Sequence, residues 1–516
     1  MEFSLLNGFS NSLDSKNERR HLLFKYFQGL LDAGCNVCSL LCSYFSVEIN
    51  LLKLNGIKLS ENVLELGLLL SEFFIDGHWF ESGKAILESC LSLNESDENI
   101  SPYFFNFYVK LLHIFNKTHD FKNGEELVEK LRRLIEEQNL KQSNAYNTSE
   151  AYLKISEYSY IRFGINEDAR FLCGKAFNSI TKTNFFTRIE ILSHLAKDAF
   201  LWEERLKAKS FIVMAMQEIR NEFKIGKQIF PISHSALHPK IIRLFIDYAF
   251  FLKADQKSEA LLNYQTALKI AMNVFDENDA KEIRNNLLIA EIFIEMADCY
   301  MNEKSANECI ENGMKIIEKI YTEDHVEKAL SKMDKVEIVF KFVKQKTITK
   351  QVKHRLLKQY EKLLLACLDI LQSKYGGFKT NYMVKCYSML GHVYDELNDM
   401  DKAQQMFSEA FRFSLDLNGW NCLSAKHCFN LADFCKDSEK FKEAEELYLL
   451  CIPVFVQSYG ESYELLEYIN SQLISIYRHF NDEKKMKEYE LKLRRRRNDS
   501  LKDDDLNELC KRQRSS

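Results

Sequence analysis

The chain has 516 residues, 46% of them apolar and 28% charged, and 70 basic against 75 acidic side chains leave a net charge of −5. Thirty-eight Phe and 23 Tyr exclude a disordered chain, and a near-neutral balance sets up no field that would draw in nucleic acid. Only 4 Pro and 17 Gly exclude a sandwich or barrel, which needs a turn roughly every 8–12 residues, so the composition predicts an almost wholly helical protein.

Residues 1–60 predict an N-terminal helical pair. The opening MEFSLLNGFSNS has neither the basic n-region nor the sustained apolar stretch of a secretory leader. Cys35, Cys38 and Cys42 would lie along one helical face. Structural zinc wants four ligands and no second pair follows at finger spacing, so these three predict a packed thiol stripe and no metal. The 14 cysteines lack the framework of a small secreted fold and predict a reduced intracellular protein; a cytoplasmic location is expected, with nuclear import through Arg494–Arg497 and Lys511-Arg512-x-Arg514 as the minority alternative. The most apolar window, 63–75, is broken by Glu65 and Glu72. It falls short of the about 20 apolar residues of a bilayer span, so no membrane span is expected.

Residues 61–497 predict a repeat array. Met400-Asp-Lys-Ala403-x3-Phe407-x2-Ala410 recurs as Phe441-Lys-Glu-Ala444-x3-Tyr448-x2-Cys451. Each copy follows a helix with Leu-small and a nearby aromatic: Leu390-Gly391-x-x-Tyr394, then Leu431-Ala432-x-Phe434. This is the tetratricopeptide (TPR) signature, small residues where two helices cross closely and an aromatic filling the gap beside them. Looser copies place the second-helix residue at Gly83, Gly124, Ala169, Ala208, Ala260, Ala306, Tyr360 and Met486, the last two being degenerate. The fold class is therefore all-α, a TPR-type α-solenoid: a right-handed superhelix of antiparallel helix pairs, about ten units in all.

Gly77 to Lys84 looks faintly like a phosphate loop, but five residues separate its glycines and Ala85 follows the lysine, so it predicts a repeat turn. His234 and His238 face each other only in a helix, and Pro239 predicts instead a loop followed by a helix start. Residues 341–360 hold Lys341, Lys344, Lys346, Lys350, Lys353, Arg355 and Lys358 with no acid. They predict a solvated helix face, with docking to an acidic partner such as a tubulin tail as the alternative. In the two sharpest units the groove-facing candidates are Lys385, His392, Asp395, Lys426, Asn430, Asp433 and Lys436. Asn430 is the most suggestive, since an amide offers a peptide backbone both donor and acceptor. Gly376, Gly419 and Gly460 should stop second helices. Arg494–Arg497 should close the last helix, and 498–516 predict a polar, disordered tail.

No His-Glu-x-x-His, Gly-x-Ser-x-Gly or Gly-x-Gly-x-x-Gly occurs. The expectation is a non-catalytic protein without cofactor or metal, whose inner wall binds a peptide or a partner helix.

The chain also resembles the amyloid protein-binding protein 2 family, whose repeats are similar to those of kinesin light chain. The resemblance runs through Arg20-His21-Leu22-Leu23, Phe27-Gln28-x-Leu30-x-Asp32-x-Gly34, Trp79, Leu87-x-Ser89-Cys90-Leu91, His238-Pro239-Lys240, Asp247-Tyr248, Tyr264-Gln265-x-Ala267-Leu268, Glu323-Asp324-His325 and the two sharp units. It implies a substrate receptor of a cullin-2 RING ubiquitin ligase that captures C-terminal degrons ending in glycine and reaches the ligase through Elongin B and C. It also implies links to microtubules and to transport of the amyloid precursor protein. Asp395 and Asp433 would suit a basic degron residue. The family's Elongin-binding box is expected upstream of this chain, because none of its six Ser-Leu dipeptides is followed at the right distance by Cys, Ser or Ala. The alternative is a kinesin-light-chain-like cargo or cytoskeletal adaptor with no ligase role.

Overall fold

A computed structural model describes residues 61–493, except the connecting segments 77–79, 93–101, 141–147, 180–184, 203, 223–238, 254–255, 276–286, 322–324, 344–348, 377 and 462. The helical pair over 1–60, the Cys35/Cys38/Cys42 group, His234, His238, Lys344, Lys346, Arg494–Arg497 and the tail lie outside the described residues.

Among the described residues there is no strand. In chain order the helices are α1 (Glu61–Asp76), α2 (Phe80–Leu91), α3 (Pro102–Thr118), α4 (Phe121–Leu140), α5 (Thr148–Phe163), α6 (Glu167–Asn178) and α7 (Phe185–Leu201). Then come α8 (Arg205–Glu222), α9 (Pro239–Leu252), α10 (Lys257–Phe275), α11 (Leu287–Cys299), α12 (Glu303–Ile320) and α13 (Val326–Val343). They are followed by α14 (Lys350–Tyr375), α15 (Asn381–Glu396), α16 (Met400–Asn418), α17 (Cys422–Asp437), α18 (Phe441–Tyr459) and α19 (Glu464–His479). A last helix, α20, covers 483–493. Within each unit odd-numbered helices are the first members of the pairs and even-numbered ones the second, α13 being the last helix of unit 1 and α14 the first of unit 2. The chain divides into two compact units: unit 1 runs to Phe342, apart from the corner Phe163–Asn166, and unit 2 comprises that corner and the chain from Val343 onward. Each is a run of stacked antiparallel pairs, the all-α TPR-type solenoid that the sequence predicts.

The pairs close where small residues stand. Ala169, Ala208, Ala260, Ala306, Ala403 and Ala444 are all buried on their second helices. At Gly391 a Cβ would sit 2.7 Å from the Phe407 ring, so only glycine lets α15 and α16 cross at this distance. Gly124 is equally constrained, with the Tyr158 ring 2.7 Å from where its Cβ would stand.

The turn inside several pairs is built one way. His119, Asn398, Glu439 and Asn481 take positive φ of 52°, 59°, 61° and 54°. The next residue then donates its N–H back across the helix end: Asp120 to Phe115 O at 3.0 Å, Asp399 to Tyr394 O at 2.9 Å, Lys440 to Cys435 O at 2.8 Å and Asp482 to Tyr477 O at 2.9 Å. This is the Schellman closure, which satisfies carbonyls the helix leaves open. Three of those residues are aspartates that also cap the following helix, Asp482 accepting from the Lys485 N–H at 3.0 Å. One aspartate thus ends a helix and starts the next. Gly376, Gly419 and Gly460 stop α14, α16 and α18 at φ of 60°, 66° and 84°, as predicted.

Candidate functional site

The site is built on the first helices of unit 1. α3 and α9 are apolar around most of their circumference: PYFFNFYVKLLHIFNKT and PKIIRLFIDYAFFL. Helices of that kind bury on nearly every side, so the few polar residues they carry are drawn inside with them. On α3 these are Lys110, His113, Asn116 and Lys117; on α9 they are Arg243 and Asp247.

Burying a charge is costly unless it is paired, and nearly every charge here is. Lys110 Nζ lies 2.6 Å from Glu150 of α5 and 3.0 Å from Glu72 of α1. Burial works against its charge, but the two carboxylates outweigh burial and hold the lysine protonated above its ordinary range. Lys154 of α5 sits 3.1 Å from Glu157 and 3.7 Å from Glu190 of α7, its side chain only 3% exposed. On α7, Lys197 lies 2.5 Å from Asp247, which also accepts from the Ser193 hydroxyl. Burial would raise the Asp247 pKa, yet Lys197 and Arg243 pull it below the usual carboxylate range. Arg243 in turn pairs with Glu291 of α11. The ladder continues as Lys253 bridges Glu295 and Asp298 at 3.0 Å each.

These side chains surround a cavity of about 290 Å³ on the inner wall of unit 1. Its lining reaches from Ile75 of α1 through α3, α5, α7 and α9 to Leu288 of α11. Two of its histidines are neutral. Burial, helped by Lys154, depresses the pKa of His113 to about 4, and burial also brings His194 to about 4 despite the opposing Glu157 carboxylate. His194 Nε2 shares a 3.1 Å hydrogen bond with the Ser156 hydroxyl.

Among the described polar atoms of this lining, Asn116 Oδ1 is buried with no hydrogen-bond partner, while His113 Nδ1 lies 3.7 Å from the Glu157 carboxylate. Asn116 is 1% exposed. Its amide nitrogen donates to the Lys154 carbonyl at 2.9 Å, which fixes the orientation of the group and leaves the oxygen as an open acceptor. Lys117 also lines the cavity, and no carboxylate of the described residues comes within ion-pairing distance of it. Burial and the Arg243 guanidinium depress its pKa to about 8. Such a wall can hold a polar group; the Ser156 hydroxyl beside His194 is fully buried and donates to the Ala169 carbonyl at 2.7 Å, and no cluster of metal-ligating residues occurs among the described residues.

The residues proposed from the sequence lie elsewhere, in unit 2. Lys385, His392 and Asp395 are half-buried on α15; Lys426, Asn430, Asp433 and Lys436 are half-buried on α17. The first helices therefore carry them, as expected, but several are engaged by their own neighbours. Asp433 accepts hydrogen bonds from Tyr448 and, at 3.2 Å, from Tyr468. Lys426 rests 5.1 Å from the Tyr459 ring centroid, His392 packs edge-on to Phe407 at 5.0 Å, and Lys436 lies 3.2 Å from Asp437. His427, missed in the sequence, is pushed down to about 4 by burial beside His392 and Lys426.

The basic segment is divided. Lys341 belongs to α13 of unit 1, where it pairs with Asp298; Lys350, Lys353, Arg355 and Lys358 belong to α14 of unit 2. Lys353 pairs with Glu396 at 2.6 Å and Lys358 with Glu361 at 2.8 Å, while Lys350 and Arg355 are exposed.

A tetratricopeptide repeat model matches residues 384–416. The amyloid protein-binding protein 2 of Rattus norvegicus and that of Mus musculus are each 26% identical to it over 407 residues. The resemblance to that family stands. The match covers 77% of this chain and 66% of each relative, so the chain spans slightly less than two thirds of their length. Among solved structures it is similar to a Rap protein complexed with competence and sporulation factor (12% identity, 86% of this chain and 99% of that one, TM-score 0.45). It is also similar to BtubC from P. vanneervenii (18%, 50% and 92%, TM-score 0.35) and to a putative kinesin light chain from Podospora anserina (15%, 49% and 98%, TM-score 0.32). No described helix is long and apolar enough to cross a membrane.

Proposed function

We propose that this chain is a non-catalytic receptor that captures a segment of another protein on its inner wall. The likeness to amyloid protein-binding protein 2 extends the proposal to a cytoplasmic, and in the minority reading nuclear, substrate-recognition subunit of a cullin-2 ubiquitin ligase. In that role Elongin B and C are the link, C-terminal degrons the cargo, and the amyloid precursor protein a further partner. The observation that carries the receptor reading is the unit 1 cavity, whose lining gathers Lys117, Lys154, Glu157, Lys197 and Arg243 around an open space. Charged and amide groups around such a space are matched by the N–H, C=O and charged groups of a polypeptide.

A display of protein C-termini passed over the immobilised chain tests capture. A reproducible enriched sequence class supports it, and uniform background binding removes it. Affinity purification from extract tests the ligase role: Elongin B–C and cullin-2 are expected to co-purify, and their absence from an otherwise active receptor removes that part alone.

The kinesin-light-chain-like adaptor is the second reading, favoured by the exposed Lys350 and Arg355 on α14. It predicts microtubule pelleting that weakens with salt and with Lys350→Glu and Arg355→Glu together. Pelleting indifferent to both would count against it.

A further inference from the structure

Behind the inner wall of unit 1, two carboxylates share one guanidinium. Asp198 of α7 is 4% exposed and accepts from the hydroxyl of Tyr160, an α5 residue that lines the cavity. Arg170 of α6 holds Glu204 at 2.7 Å through Nη2 and reaches Asp198 only at 3.8 Å, through Nε. Glu204 stands in the corner between α7 and α8 and has a second cation in Lys207, 3.1 Å away. Other groups around α7 are engaged elsewhere: on α9, Asp247 answers Lys197 and Arg243 answers Glu291. His194 of α7, edge-on to Tyr160 at 5.3 Å, stays neutral down to about pH 4. A buried carboxylate keeps its charge only where cations or donors compensate it. Asp198 has one donor and a distant share of Arg170, so its charged and neutral forms are closely balanced. Burial, then the Glu204 carboxylate, push its pKa up to about 7. Glu204 is held below its usual range, its partial burial outweighed by Arg170 and Lys207.

We propose that Asp198, Arg170 and Glu204 form a proton-operated switch, in which Arg170 turns wholly to Glu204 when Asp198 is neutral and is drawn toward Asp198 when Asp198 is ionised. The proton is exchanged with solvent past the Arg170 and Glu204 side chains, which are partly exposed. The switch joins two faces of the repeat. Inward, an ionised Asp198 holds the Tyr160 hydroxyl by a charge-assisted bond that the neutral carboxyl replaces with a weaker one, so the cavity wall at Tyr160 is firmer above neutrality than below it. Outward, the guanidinium shifts over the indole of Trp202, whose ring centroid lies 5.0 Å from Arg170 Cζ.

Trp202 reports on the switch. The test uses the full chain with Trp79→Phe and Trp420→Phe, which leaves Trp202 alone of the 3 tryptophans, and records its emission across the neutral pH range. A sigmoidal change centred near pH 7 is expected, and it should be absent from Asp198→Asn. His194 titrates too low to contribute. Glu204→Gln removes the neighbouring negative charge and frees Arg170 for Asp198, so the midpoint should fall by about one pH unit or more. Tyr160→Phe removes the donor that favours the ionised form, so the midpoint should rise. Thermal melts show that the variants fold, and Glu204→Gln, at a partly exposed corner, keeps the test sound even if Asp198→Asn melts early. Emission that does not change with pH, a transition that survives Asp198→Asn, or a midpoint that Glu204→Gln leaves in place overturns the proposal.

Discussion

His119 Nε2 lies 2.9 Å from Glu327 Oε1, and so the corner between α3 and α4 is joined to the first turn of α13. The two residues are separated in sequence by nine helices, α4 to α12, yet they meet within one unit. The cavity lining, which includes both Ile75 of α1 and Leu288 of α11, shows the same return of the chain upon itself. The wall that gathers Lys110, Lys117, Lys154 and Arg243 is enclosed because the pairs curve round to this contact.

The His119–Glu327 pair should therefore contribute to holding unit 1 closed. In a double-mutant cycle with His119→Ala and Glu327→Ala, the coupling is expected at about 0.5–1.5 kcal/mol by urea denaturation. Additive effects of the two substitutions would show that the contact carries no energy of its own.

Lys110→Met should be among the most damaging single substitutions. It leaves Glu72 and Glu150 facing each other across the inner wall without their cation. Removing one partner from a buried ion group costs about 3–5 kcal/mol, readable as a fall in the urea midpoint at unchanged slope. The loss should be smaller when Glu150→Gln accompanies it, since one of the stranded charges is then gone.

Lys117→Met should act in the opposite direction and stabilise the chain, by about 1–2 kcal/mol at pH 7 once partial solvent access is allowed for. Its pKa is about 8 in the folded chain against an ordinary 10.5, because burial and Arg243 disfavour the charge. Arg243 faces it from α9, Glu157 and Lys154 from α5, Glu291 from α11 and His113 from α3. Below pH 8 the lysine is charged in both states and the penalty is complete. Between pH 8 and 10.5 the unfolded chain holds more protons, so wild-type stability rises relative to the Met variant. The gap between the two proteins should thus narrow over that window in thermal melts. A gap independent of pH would contradict the assignment.

Glu439→Gly should also stabilise, by about 0.5–1 kcal/mol, because Glu439 holds a φ of 61° that side-chain-bearing residues adopt at a cost. Gly391→Ala should do the reverse and cost about 1–3 kcal/mol, since the new methyl meets Phe407. Thermal denaturation of the two variants checks both signs.

These pairs of outcomes reflect what the sequence reveals and what it hides. Ala403, Ala444 and Gly391 are legible because a close helix crossing admits only small residues, and the aromatic that fills the gap recurs at a fixed spacing. The glycine stops at Gly376, Gly419 and Gly460 are legible for the same local reason. The unit 1 wall is harder to see. A lysine or glutamate in a helix usually marks a solvated face, and nothing local tells Lys154 or Glu190 from such a residue. A signal does exist, in Lys110, His113 and Lys117 on α3 and in Arg243 and Asp247 on α9. They sit at helical spacing on stretches apolar on almost every other side, which is the pattern of a buried helix whose polar stripe must meet another. The sharpest repeats point instead to Lys426, Asn430 and Asp433. Sharp repeats mark good helix packing, and Asp433, held by Tyr448 and Tyr468, serves that packing.

The most direct measurement is photo-crosslinking of a captured peptide to the full chain, with a photoreactive residue placed within it and the adducts mapped by mass spectrometry. The account predicts adducts on α3, α5, α7 and α9, among residues such as Asn116, Tyr160, Ile189 and Leu244 that line the unit 1 cavity. Adducts confined to α15 and α17, around His392 and Asn430, would contradict it.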